Sequence, residues 1–161
     1  MEKFRLTSPD FEEGGWIPRR LTGRGEDRSP ALLVEGIPPG AESLAVVLED
    51  ASHPIVPDFP HWVIWNLPVR SEIPGGIPAG ELVAELGGAV QGLAYGRHRY
   101  RGPKPPFRSV HDYRFTVFAL NARCDLPPSA GKRELTAWIE GHLLRRAELT
   151  GKFQSHRTEE D

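Results

Sequence analysis

The chain has 161 residues, a formal net charge of −2, 39% hydrophobic residues and one cysteine. That length suits one domain, and with no apolar run near the roughly 18 residues of a membrane span and a near-neutral charge balance, neither a spanning helix nor broad attraction to nucleic acid is expected. Cys124 alone excludes an internal disulfide, and residues 1–9 lack the apolar core of a secretory signal, so the expected compartment is the reducing cytoplasm.

Seventeen glycines and sixteen prolines are spread between apolar runs without a period, which suits a loop-rich β protein. Residues 11–29 are polar and glycine-rich and predict an irregular entry with at most one edge strand. Strands are predicted at 32–35, 43–49, 61–67 and 111–120. Each is short, rich in Val, Ile, Leu, Phe and Trp, and bounded by turn residues. The unbroken apolar run at 44–48 suits a strand covered on both faces, whereas 111–117 alternates and suits one with a wetter side. Trp62 and Trp65, three apart on a strand, face opposite ways, with core on one side and an interface on the other. A helix is predicted over 132–148 from the recurrence of Leu135, Ile139, Leu143 and Ala147, with Gly141 as an interruption and His142 packing on it. A last strand at 149–153 precedes a polar, frayed tail from about 155. The expectation is a single mainly β domain over 1–161, an antiparallel β-sandwich with one or two peripheral C-terminal helices.

The chemistry-bearing residues sit at strand ends. Asp50 closes one strand and His61 opens the next, so an antiparallel pair puts both at the same end of a sheet. If the strand at 111–120 also runs antiparallel to the first, His111 and Tyr113 start at that end and share a face. A carboxylate beside an imidazole favours the charged ring, and a donor-rich histidine pair suits phosphate or carboxylate oxygens. The Tyr113 hydroxyl and amides around Gly102 add donors, while Pro103, Pro105 and Pro106 stiffen the loop. Two histidines and a carboxylate also make up a facial triad for a divalent ion, so a metal-dependent enzyme is the rival reading. Ser52 and Ser109 lack a nucleophile-elbow context, which ranks hydrolysis last. Arg97, Arg99 and Arg101 read as a solvated loop rather than a nucleic-acid surface.

In order along the chain, Glu49-Asp50 through Pro54, His61-Trp62, Gly102-Pro103-Lys104-Pro105-Pro106 and His111-Asp112-Tyr113 resemble the phosphatidylethanolamine-binding protein family, in its bacterial and archaeal Raf-kinase-inhibitor-like branch. The resemblance covers nearly the whole chain. It implies a β-sandwich whose pocket, lined by Asp50, His61, Pro106, His111 and Tyr113, binds small anions without a cofactor. It also implies a possible protein partner and a possible homodimer. The chain departs from the family pattern at Ala51, Ser52, His53 and Lys104, and at Leu93-Ala94-Tyr95-Gly96. The departures at Ala51, Ser52 and His53 are together expected to loosen that loop, Ser52 in place of an aspartate removes one carboxylate, and the His53-Pro54 bond corresponds to one the family can hold cis.

Overall fold

The computed structural model describes residues 3–156. Nine strands form two sheets. β1 (Arg5–Thr7), β2 (Leu32–Glu35) and β5 (Glu72–Ile73) make a small antiparallel sheet in the order β1-β2-β5. The larger sheet contains β3 (Ser43–Asp50), β4 (Phe59–Leu67), β6 (Leu82–Val83), β7 (Ala89–Gln91), β8 (Val110–Leu120) and β9 (Leu143–Gln154), in the order β6-β7-β4-β3-β8-β9. The predicted strands are present, and both β4 and β8 pair antiparallel to β3.

The core between the sheets joins Leu6, Leu32, Val34 and Ile73 to Leu44, Val46, Leu48, Trp62, Phe115 and Val117. The outer face of the large sheet is covered in its turn. Ala45, Val47, Val63 and Trp65 pack with Leu135 and Ile139 of α1 (Lys132–Glu140). β3 is therefore buried along its whole length, as its unbroken apolar run requires. Trp62 and Trp65 do face opposite sides, but the second side is no interface: both indoles are 0% exposed, Trp65 beneath the helix.

The helix is shorter than predicted. It ends at Gly141, and residues 143–154 form β9 along β8. Leu143 and Ala147 are four apart, a spacing that matches a helical face and, being even, a strand face equally well. Glycine and the ladder with β8 decide for the strand. One α-helix, within the expected one or two, is thus present among the described residues, besides 3-10 turns at Arg19–Leu21 and Ala84–Leu86. His142 lies beyond it, with its ring stacked on Trp138 at 4.0 Å.

The irregular entry is ordered by β9. Gly14 N–H donates to the Thr150 carbonyl (2.7 Å), Ile17 N–H to that of Lys152 (2.9 Å), and Lys152 N–H to that of Gly15 (2.9 Å). Phe11 and Ile17 fill the space over Gly151, where a Cβ would come within 2.8 Å of each. No described peptide bond is cis, His53-Pro54 included. The tail expected to fray from about residue 155 starts ordered, since Ser155 is buried and its hydroxyl donates to the Pro105 carbonyl; residues 157–161 of that tail lie outside the described residues. Among the described residues, no helix is long and apolar enough to cross a membrane.

Candidate functional site

The end of the large sheet where β3 stops gathers the four predicted side chains. Asp50 pairs in register with Tyr113 of β8, so both point into the inter-sheet side. His111, two residues earlier on β8, shares that face, and its Nδ1 lies 2.7 Å from Asp50 Oδ2. His61 reaches the same side by a different device. Leu48 opposes Trp62 while Glu49 opposes Pro60, which leaves His61 as the extra residue of a β-bulge. Adjacent residues of a regular strand face opposite ways. Here Trp62 packs in the inter-sheet core, and the His61 ring lies 5.5 Å from the Tyr113 ring on that same side. Exposures of 3% for Asp50, 5% for His61, 7% for His111 and 1% for Tyr113 show how dry the cluster is.

The carboxylate oxygens and the Nδ1 atom of each imidazole have defined partners. Asp50 Oδ2 accepts from the His111 ring, and Oδ1 accepts the Ser52 N–H (2.9 Å). His61 Nδ1 donates to the Arg101 carbonyl (2.8 Å), since a carbonyl only accepts. The loop after β3 is tied down rather than loosened by its unusual residues. Ser52 Oγ accepts the Asp112 N–H (2.9 Å), and His53 Nδ1 accepts the amides of Ile55 (3.2 Å) and Val56 (2.9 Å).

Burial sets the protonation of the cluster. The His61 pKa falls below its ordinary 6.5, first because burial disfavours the cation, with the Arg101 carbonyl and Asp50 acting in the opposite direction. The expectation that a neighbouring carboxylate keeps this ring charged is corrected: desolvation wins, and His61 is a neutral ring with its proton on Nδ1. The Tyr113 phenol is pushed well up by burial and then by Asp50, so it stays a hydroxyl.

The proline loop behaves differently from expectation in one respect. The Gly102 amide is spent on Asp27 Oδ1 (2.7 Å) and adds no free donor. A Cβ at Gly102 would come 2.2 Å from the Leu21 carbonyl oxygen, so only glycine fits. The Pro103 carbonyl accepts Gly23 N–H (2.9 Å), the Pro105 carbonyl accepts the Ser155 hydroxyl, and the Pro106 carbonyl accepts the Ser109 hydroxyl (2.6 Å). Pro105 is buried and Pro106 exposed. Docking on residues 21–27 thus stiffens this wall together with the prolines.

Three neighbours were not read from sequence. Phe59 and Tyr95 set ring edges against His61, at 6.1 and 5.1 Å, and Arg101 lies 4.4 Å over the Tyr95 ring. Tyr95 holds φ at 57°, an uncommon conformation for a bulky residue and one that accumulates at binding sites. Arg101, assigned to a solvated loop, instead supplies both a carbonyl and a cation at the site. The parity of Phe59 with His61 and the Tyr95-Gly96 pair were the available signals.

Asp50, His61 and His111 do not assemble a metal triad: no three His, Cys, Asp or Glu side chains among the described residues come together as an ion would need.

This is an antiparallel β-sandwich with a buried carboxylate, two imidazoles and a phenol at one end of its larger sheet. Residues 7–154 match the phosphatidylethanolamine-binding protein family, to which the chain belongs. It is 40% identical to a UPF0098 protein of Methanothermobacter thermautotrophicus, over 92% of this chain and 97% of the relative. With the UPF0098 protein PH1269 of Pyrococcus horikoshii it shares 37% over 95% of this chain and 78% of the relative. The solved structure of Escherichia coli YbcL, described as a new member of the mammalian family, superposes with a TM-score of 0.85 at 25% identity, covering 94% of this chain and 98% of that one.

Proposed function

We propose that the protein is a non-catalytic binder of a small anion, bearing phosphate or carboxylate, at Asp50, His61, His111 and Tyr113. One observation carries this reading: each imidazole gives its Nδ1 to a protein acceptor, His111 to Asp50 and His61 to Arg101, and no hydrogen bond occupies either Nε2 among the described residues. The two rings are unlike. Neutral His61 offers a lone pair at Nε2, whereas His111, whose Nδ1 is bonded to a carboxylate, donates from Nε2 in its doubly protonated form. A hydrogen phosphate matches that pairing, with a P–OH for His61 and P–O⁻ oxygens for His111 and the Tyr113 hydroxyl. Arg101 at the rim adds positive charge. A regulated protein partner or a second copy of the chain would meet this end through Ile55 (83% exposed) and Phe107 (82%), apolar tips on the surrounding loops.

Thermal unfolding in inorganic phosphate and in chloride at equal ionic strength tests the reading. Stabilisation by phosphate that disappears in His111→Ala, with circular dichroism unchanged, supports it. Equal melting in both salts, or equal stabilisation of the variant, overturns it.

A further inference from the structure

The outer face of the large sheet holds a cavity of about 430 Å³, between β8, β9 and the exposed flank of α1. Its size falls in the roughly 300–1,000 Å³ range of small-molecule pockets. Thr116 lies in the middle of its floor, with Val47 opposite on β3 and Glu148 opposite on β9. Thr116 is 4% exposed, yet its hydroxyl has no hydrogen-bond partner among the described residues. A hydroxyl on a residue that lines a cavity and is bonded to no protein group is open to a ligand that can donate to it or accept from it.

The charges around it are sorted. Glu49 is saturated by Arg114 at 3.2 Å and by Lys132, and Arg114 also reaches Asp58 at 2.7 Å. Two charged groups are left over. Arg146, opposite Phe118 in the ladder, and Glu140, on the last turn of α1, both line the cavity, and neither has an ion-pair or hydrogen-bond partner among the described residues. The apolar lining comes from Val47, Phe118, Ile139 and Leu143. We infer that this cavity is a binding site for a small zwitterion with an apolar body, of the class of a free aliphatic amino acid: its carboxylate meets Arg146, its ammonium meets Glu140, and the Thr116 hydroxyl bonds one of the two. A ligand with a single charge leaves either Arg146 or Glu140 unanswered and gains less.

Titration of the isotope-labelled protein with L-leucine, followed by amide chemical shifts, tests the site. The expected result is saturable shifts at residues 116, 140 and 146, with affinity at least about tenfold weaker for leucinamide and for 4-methylpentanoate, each lacking one charge. Arg146→Gln, Glu140→Gln and Thr116→Val should each weaken leucine binding, while His111→Ala leaves it unchanged; the first two alter exposed side chains and leave the fold intact. No saturable shift at millimolar leucine, equal binding of the single-charge analogues, or shifts confined to residues around Asp50 and His111 would each overturn the inference.

Discussion

Glu49 and Asp50 are neighbours in sequence, yet they face opposite sides of the same sheet and live in different electrostatic worlds. Asp50 and its partner His111 have side chains only 5% and 9% exposed. Glu49 is as buried, but its partners are wet: Arg114 is 26% exposed and Lys132 31%, with Asp58 and Glu148 beyond them at 44% and 47%. Coulomb interactions are strong where the surroundings are dry and are screened where water enters. The outer network therefore acts by number, several partly screened pairs fastening the loop before β4 and the start of α1 to the sheet. The inner cluster acts by exactness of placement, one hydrogen bond per imidazole, made through Nδ1.

Glu49→Ala breaks the outer side most. It removes the carboxylate shared by Arg114 and Lys132 and is expected to cost about 2–3 kcal/mol in urea unfolding, below the roughly 3–5 kcal/mol of a fully broken buried pair because both cations are partly solvated and Arg114 keeps Asp58. Phosphate-dependent stabilisation should persist in it, which separates the two faces. Asp50→Asn should show the reverse balance: a stability loss of about 1–2 kcal/mol, from a weakened bond to His111, together with loss of the phosphate response in thermal unfolding. Acid titration sharpens the contrast further. Because the folded-state pKa of His61 lies below 6.5, the unfolded chain takes up a proton that the folded chain refuses, so stability falls as pH drops below about 6.5 and levels off beneath the folded value. His61→Asn should flatten that slope in stability measured from pH 7.5 to 5.0. Ser52→Ala removes one bond to the Asp112 amide at a largely exposed turn and should cost about 0.5–1 kcal/mol, with anion binding retained.

Much of the fold was legible because it depends on local pattern. The runs at 43–49 and 111–120 declare strands through apolar content, and their matching ends bring Asp50, His111 and Tyr113 together once the two strands pair antiparallel, as they do. His61 was placed correctly at that end, but its side chain arrives by a bulge that no alternation rule anticipates, since a regular strand would send it away from Trp62. The protonation of His61 depends on burial, a property of the whole assembly rather than of the Asp50 beside it. Gly102 looked like a free amide because Asp27, which takes it, lies 75 residues away. The helix overran to residue 148 because a four-residue repeat does not distinguish the two periodicities. Tyr95 escaped for a related reason: its role comes from a left-handed backbone turn and a ring edge, neither of which composition reveals.

β9 is the last strand of its sheet, a position that ordinarily offers a row of unpaired amides and carbonyls to any other extended chain. Here the opening segment of the same polypeptide occupies part of that row through Gly14, Gly15 and Ile17, and the remainder displays Arg145, Arg146 and Glu148. The protein thus guards this border against intermolecular strand addition with residues 14–17 and with the charges at 145–148 together, two segments that synthesis produces well over a hundred residues apart.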